Sequence, residues 1–389
     1  MNTHFQKFNY LNVCVNVFSA NMLPTTSEKI RTPGIMKFYV LFVWTIVLAC
    51  LSATLYGMVH VPNDKMLKDS TVYTMVSFES ILLVVYLHNQ KKSLRRLIET
   101  LNCLFDIDDK TIRIATTRLV TPFEKPMKIY VIASVGAVIV WTFLPLMEIF
   151  HRNQFYYEDY QIPMGVSREP FSTGIFIGGI AFQIVGCMYT TVRKASVDIY
   201  TMHIILLMTA QYKYLNMKFT SALARYPVPG DEDIIRQELG GLVQHHKIVL
   251  RISNILKNVF TPNVALLYIN NVFRFCFLTL MLVMNNEGPY VTMCVVSYTI
   301  GALIQLYMFC FCIQQLLESS TTMMDDVFHG KWYLRDVSLQ RTIMMMTMTD
   351  KLGCKLSRIR NINLTLPSFM SILNQAYSVC LLFLKSRQS

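Results

Sequence analysis

Seven stretches of this chain are apolar almost without interruption. Each is near the roughly 20 residues that a helix needs to cross a bilayer. They run over 36–59, 71–88, 129–150, 174–192, 262–284, 290–314 and 364–384. The pattern predicts an all-α membrane protein with seven transmembrane helices. The second stretch is short and begins in polar residues. The seventh carries Ser371, Asn374 and Gln375 and is the most polar. Polar groups on a membrane helix face protein or water rather than lipid.

The longer segments between these stretches are also patterned. Leu239, Leu242, Val243, Leu250, Ile252, Ile255, Leu256 and Val259 recur at roughly helical spacing within 235–260. Residues 199–217 read as a helix that continues the fourth span. Pro227, Pro229 and Gly230 mark a turn between the two. The run 200–210 is apolar enough to suggest an eighth span, but it is about half a membrane long and His203 interrupts it.

Composition and charge sharpen the picture. The chain has 389 residues, 53% hydrophobic and 15% charged, against about 45–50% and 25% in a soluble domain. That excludes a soluble enzyme of this length and a disordered chain. The formal net charge is +12, but the cations sit in the connections, so the excess reports topology and not nucleic acid. Of the 36 Lys and Arg, 28 fall in 1–35, 89–128, 193–261 and 315–363, and 6 fall in 60–70, 151–173, 285–289 and 385–389. The positive-inside rule then predicts a cytoplasmic N-terminus and an extracellular C-terminus. The inner connections hold 40, 69 and 49 residues and the outer ones 11, 23 and 5.

The expected organisation follows. Residues 1–35 form a cytoplasmic segment and 36–192 hold spans one to four. Residues 193–261 form a helical cytoplasmic anchor, 262–314 hold spans five and six, 315–363 form a second anchor, and 364–389 hold span seven and an external tail.

Catalytic chemistry is missing. There is no GxSxG, HExxH, Walker or dinucleotide-binding glycine pattern. The ten cysteines include no CxxC pair, and most lie in apolar runs as packing residues. The adjacent His245 and His246 diverge on a helix and read as solvated. No metal or cofactor is expected. No cleavable signal peptide is visible at the N-terminus, so insertion begins with the first span. Asn363-Leu364-Thr365 is a formal glycosylation sequon at the inner end of span seven, where it should stay unused.

Two charges lie inside spans, Glu79 and Arg274. Such residues are costly and face a partner or a water-filled path. A structural pairing with a polar neighbour is the reading favoured here over a gating contact.

Span three carries Ser134, Ala137 and Trp141 at i, i+3 and i+7, on one helical face. Span two offers Tyr73 and Phe78, span four Phe182, and span six Ser297 and Tyr298. Aromatics with a few hydroxyls suit a small apolar ligand that needs one orienting hydrogen bond. The same residue types are also ordinary helix-packing material.

The carboxyl end carries a resemblance. Phe369, Leu373, Tyr377, Ser378 and Leu382 match the Phe…Leu…Tyr-Ser…Leu pattern that ends insect odorant receptors. Upstream, the stretch containing Glu318, Ser319 and Trp332 resembles that family's segment after span six. The run HHKIVLRISNILKNVF resembles its approach to span five. Ala376 departs from the usual Thr before the tyrosine. Phe383 and Leu384 stand where gustatory receptors have Gln-Phe, which argues against a gustatory-receptor-type channel. Residues 193–261 lack the insertion of the family's longer co-receptor, so the chain resembles an odour-tuning subunit.

The resemblance implies an odorant-gated, non-selective cation channel in the plasma membrane of olfactory sensory neurons. It would be a heterotetramer with the shared odorant receptor co-receptor (Orco), meeting it mainly in the cytoplasmic layer. Span seven would line the pore. Aligning Tyr377 with the family places Cys380 and Leu384 at an apolar constriction that could close by dewetting. A small volatile ligand would sit in the outer half among spans two, three, four and six, with Ser134, Ala137 and Trp141 at the expected span-three positions. A G-protein-coupled chemosensory receptor is the alternative. It would need an external N-terminus and Asp-Arg-Tyr or Asn-Pro-x-x-Tyr motifs, and neither motif is present. A transporter should show inverted repeats or broken mid-membrane helices, and no convincing repeat is found.

Overall fold

The computed structural model describes residues 10–26, 33–66, 70–105, 110–225, 232–283, 289–350 and 364–388. The turn expected at Pro227–Gly230 and the sequon asparagine Asn363 lie outside the described residues. Among the described residues, seven helices are long and apolar enough to cross a membrane.

Among the described residues, the α-helices longer than three residues are, in chain order, α1 (Tyr10–Phe18), α2 (Gly34–His60), α3 (Thr71–Asn89), α4 (Lys91–Phe105), α5 (Lys110–Phe143), α6 (Thr173–Ala224), α7 (Glu232–Val283), α8 (Pro289–His329), α9 (Val337–Asp350) and α10 (Leu366–Gln388). A two-stranded antiparallel ribbon, β1 (Gln154–Phe155) and β2 (Phe171–Ser172), lies between α5 and α6.

The burial pattern of α2 shows why a membrane is its solvent. Only Val43, Val47, Cys50, Leu51, Thr54 and Gly57 are buried, a single stripe at helical spacing. Phe38, Leu41 and Phe42 are equally apolar and exposed. In contrast, α4 is a water-side helix. It buries Leu94, Leu97, Ile98, Leu101, Leu104 and Phe105 and turns its lysines and arginines outward. Each of those burials stabilises by about 1.5–3 kcal/mol.

Helices α6 and α7 have 52 residues each. At 1.5 Å per residue they are about 78 Å long, more than twice a bilayer's hydrocarbon core. The helices expected at 199–217 and 235–260 are therefore continuations of spans four and five. The backbone shows no break at 192/193, 261/262 or 314/315. Helix α7 crosses Pro262, whose missing N–H frees the carbonyl of Asn258. The hydroxyl of Tyr86 donates to that carbonyl at 3.4 Å.

Helix α6 is the central post. From Val192 to Tyr212 every residue is buried, surrounded by α1, α3, α5, α7 and α8. That overturns the eighth-span alternative. Residues 200–210 are apolar because protein covers the helix on every side, and His203 is buried with them. Span three also differs in its edges. Its helix begins at Lys110, runs through Pro122 and Pro126, and ends at Phe143; Leu144–Phe150 follows as a 3-10 turn.

The 23-residue connection after span three folds as a lid. Phe155, Tyr157, Tyr160, Met164 and Phe171 form a buried cluster with Val61, Phe176 and Ile180. Phe155 stacks on Phe176 with ring centroids 4.0 Å apart. Gln183 donates to the carbonyl of Ile162 at 2.7 Å, and Gly165 N–H donates to Ala53 at 2.9 Å. The lid sits this low because Gly179 lacks a side chain: a Cβ there would overlap the Tyr160 hydroxyl.

Candidate functional site

Under the lid lies a cavity of two adjoining compartments. The upper one holds about 680 Å3 of empty space, open solvent at its mouth included. Helix α3 lines it with Val72, Tyr73 and Val76, and α5 with Ala137 and Trp141. The lid contributes Ile162, α6 Cys187 and Thr190, α7 Leu278 and Met281, and α8 Val295 and Tyr298. The lower compartment lies further from the lid, between α5, α6, α7 and α8. Tyr130, Ser134, Lys194, Arg274, Ser297 and Gln305 are among its lining residues. Val76, Ala137, Thr191 and Tyr298 line both.

The upper compartment is a mainly apolar slot. Three of its hydroxyls are engaged as donors. Tyr73 donates to Cys50 Sγ at 3.3 Å, Thr190 to the carbonyl of Gly186 at 2.9 Å, and Thr142 to that of Val138 at 2.8 Å. Ser134, at the junction with the lower compartment, donates to the Tyr130 carbonyl at 2.6 Å. Such a surface selects for shape and apolar area.

The floor is different. Lys194 Nζ lies 2.9 Å from Glu79 and 2.7 Å from Asp198. Asp198 also accepts from the Tyr130 hydroxyl at 3.0 Å and from the Gln305 amide. Asn270 donates to Glu79. Arg274 donates to Gln305 Oε1 at 2.9 Å and lies over the Tyr298 ring, 4.9 Å from its centroid. Two carboxylates and two cations thus close one network that joins α3, α5, α6, α7 and α8. Buried charges persist where they are paired and hydrogen-bonded in this way.

Six of the eight ligand candidates line this cavity: Tyr73, Ser134, Ala137, Trp141, Ser297 and Tyr298. Two do not. Phe78 is 46% exposed on the outward face of α3. Phe182 packs beneath the lid against its aromatic cluster. Both are large apolar residues in the right spans, and only the rotational register of their helices removes them. Span five was not expected to contribute, yet Leu278 and Met281 line the slot.

The charge pairing also differs in its members. Glu79 and Arg274 share one network, but the direct partner of Glu79 is Lys194. Lys194 and Asp198 escaped notice because they fall just past the fourth apolar run and read as loop charges. The signal that could have found them is their i, i+4 spacing on a helix predicted to continue.

The gate candidates divide in a similar way. On α10, Ile372, Ala376 and Cys380 form a buried stripe at i+4 spacing, and Leu384, next in that stripe, is half-buried. Cys380 is 2% exposed and so packs against its own subunit. Tyr377 is 61% exposed and shares the free face with Met370, Asn374 and Leu381.

Comparison with known proteins identifies the fold and its lineage. A family model described as 7tm Odorant receptor matches residues 63–377. The chain belongs to the odorant receptor family. Its relatives are membrane receptors of olfaction and not enzymes. Odorant receptor 22c of Drosophila melanogaster is 26% identical over 144 residues, which is 37% of this chain and 35% of that receptor. This odorant receptor therefore aligns with about a third of that relative. Among solved structures, the insect olfactory receptor OR5 from Machilis hrabei in complex with eugenol superposes with a TM-score of 0.78 at 16% identity. That match covers 98% of this chain and 99% of the other. OR5 from Machilis hrabei without that ligand in its description gives 0.79 at 15%. The likeness in fold extends over nearly the whole chain.

Proposed function

We propose that this odorant receptor is an odour-tuning subunit. It binds a small volatile organic ligand in the cavity beneath the lid and opens a non-selective cation channel formed with the shared co-receptor. The carrying observation is the mainly apolar slot lined by Tyr73, Ala137, Trp141 and Tyr298. Its walls come from five helices, so filling it favours whichever arrangement of those helices the ligand fits better. Odorants have few atoms, and affinity on the order of micromolar follows from the ceiling per heavy atom.

Several features support the channel part of this reading. Asn374, Gln375, Tyr377 and Ser378 are exposed on α10 of the single chain. Polar residues at that depth need protein or water beside them, which four subunits around a central pore would supply. Helix α7 packs along α10 and carries Leu278 and Met281 of the slot, so it links ligand to pore. The excess of cations in the long connections supports a cytoplasmic N-terminus and an external C-terminus, in the plasma membrane of olfactory sensory neurons.

The test is whole-cell current from cells expressing this chain with and without the co-receptor, under an odorant panel and with G-protein signalling blocked. A rapid cation current that needs both chains is the expected result. A response abolished by the block would replace the channel with a G-protein-coupled receptor.

A further inference from the structure

We propose that a second cavity, between α5, α6 and α8 on the cytoplasmic side, binds the head group of a phospholipid. The chemistry it fits is a phosphodiester that carries a polyhydroxylated ring, as in phosphatidylinositol. Its place beside the inner leaflet rests on the orientation proposed above, and the odorant slot plays no part in it.

This cavity holds about 1180 Å3 of empty space, open solvent at its mouth included. Helices that pack side by side ordinarily meet through apolar stripes. Here the stripe is polar. Gln315, Glu318, Ser319 and Thr322 stand at i, i+3, i+4 and i+7 on α8, one face of the helix, and all four line the cavity. Helix α5 adds Thr111 and Arg118, seven residues apart on one face, and α6 adds Lys213 and Asn216. Basic pockets between helices on the cytoplasmic side are where lipid head groups bind.

Position along the helices orders that chemistry. The apolar run of span three starts at 129 and that of span six stops at 314. Arg118 and Gln315 therefore lie at the membrane end of the cavity, and Thr111 and Thr322 at the far end. Lys213 donates to Gln315 Oε1 at 3.2 Å and so stands at the membrane end as well. Arg118 is exposed and has no hydrogen bond or ion pair among the described residues. A phosphodiester held in the inner leaflet meets these two cations first. From Arg118 to Thr111 the helix descends about 10 Å, which leaves depth for a ring beyond the phosphate.

Hydrogen bonding then selects the head group. The hydroxyls of Ser319 and Thr322 have no partner among the described residues. That of Ser319 is reachable from the cavity although the residue is 8% exposed. Their hydrogens need acceptors. Glu318 accepts from the side-chain amides of Gln314 at 2.8 Å and Gln315 at 3.3 Å, and its remaining lone pairs need donors. Each hydroxyl of a polyol supplies both and adds no charge. An ethanolamine group offers no acceptor beyond the phosphate. A serine group brings a carboxylate beside Glu318 and toward Asp326, which Asn216 already holds at 2.8 Å, and crowding like charges is costly.

The experiment titrates the purified full chain in detergent micelles with phosphatidylinositol, phosphatidylethanolamine and phosphatidylserine of identical acyl chains, and with soluble glycerophosphoinositol. Bound molecules are counted by native mass spectrometry. Hydrogen bonds to the ring predict that phosphatidylinositol binds roughly tenfold more tightly than either other lipid. Ser319→Ala with Thr322→Val should bring that preference within about threefold and leave phosphatidylserine binding unchanged. Arg118→Gln should weaken all three lipids by about threefold to fivefold, because it acts on the phosphate they share. Equal binding of the three lipids by the unaltered chain overturns the proposal without recourse to any variant, as does tighter binding of phosphatidylethanolamine or phosphatidylserine. Glycerophosphoinositol should bind more weakly than the lipid; equal affinity would make the ligand a soluble phosphate ester and overturn the lipid. The micelles hold neither odorant nor co-receptor. A preference for phosphatidylinositol in a chain that gives no odorant current would leave the head-group site standing and the channel reading lost.

Discussion

Lys194 Nζ lies 2.9 Å from Glu79 Oε1, with the two side chains 5% and 1% exposed, and the same ammonium reaches Asp198 at 2.7 Å. One cation thus separates two buried carboxylates contributed by α3 and α6. Removing it leaves both acids in the same pocket. Lys194→Met should destabilise the fold by about 3–5 kcal/mol, the usual penalty for orphaning a buried charge. Surface labelling of intact cells would show the loss. Glu79→Gln in the same chain should recover part of it, with a coupling of about 0.5–3 kcal/mol between the two sites. Exchanging charges between Glu79 and Arg274 should not restore the fold, because each has a different direct partner.

Ala137 lines both compartments of the cavity. Ala137→Phe would place a ring where the two compartments adjoin, at a packing cost of about 1–3 kcal/mol. The expected outcome is loss of response to longer ligands, with surface expression retained and shorter ligands still active. Trp141→Ala acts in the other direction by removing apolar wall. Its dose–response curve should move about tenfold to higher concentration, equivalent to about 1.4 kcal/mol. Current through the co-receptor alone should not change in either case.

The architecture was legible because membrane helices announce themselves by length and hydropathy, and the family pattern around Tyr377 is local. The site was legible in part. Ser134, Ala137 and Trp141 share a face on one helix, so periodicity grouped them and the family resemblance pointed to that face. Phe78 and Phe182 fall outside the cavity for the opposite reason: a helix apolar all round gives no rotational phase, and lipid accepts an aromatic as readily as a core does. Lys194 and Asp198 were hidden by a boundary placed where the apolar run stops. The helix does not stop there, and protein rather than water receives the charges. The lid was invisible because its cohesion lies in contacts between segments, such as Phe155 on Phe176, that no local pattern encodes.

That lid depends on one close approach. A Cβ on Gly179 would overlap the Tyr160 hydroxyl, and that hydroxyl has no hydrogen-bond partner among the described residues. Gly179→Ala should therefore loosen the lid, at about 1–3 kcal/mol for the forced repacking. Amide hydrogen exchange in 154–172 should quicken while α6 beyond Thr190 stays protected. Tyr160→Phe in the same chain removes the closest atom and no satisfied bond but leaves the ring carbon Cζ 2.8 Å from the Cβ, so protection should return only in part. Protection unchanged in Gly179→Ala would mean that the lid does not bear on α6 at this point.

The last expectation concerns which face of α10 meets water. Alignment with the family points at Cys380, whereas the fold buries it behind Ile372 and Ala376 and frees Tyr377 and Leu381. A water-soluble thiol reagent separates the two, since thiolate reactivity follows access. In channels formed with the co-receptor, the native chain with its buried Cys380 should keep its current after treatment. Leu381→Cys moves the thiol by one residue, about 100° around the helix, onto the free face. Its current should fall within the exposure, faster when odorant holds the channel open than when it is closed. Rapid block of the native chain, abolished by Cys380→Ser, would instead mean that α10 turns on its axis when subunits assemble. The stripe that packs on α7 in the single chain would then be the one that faces ions.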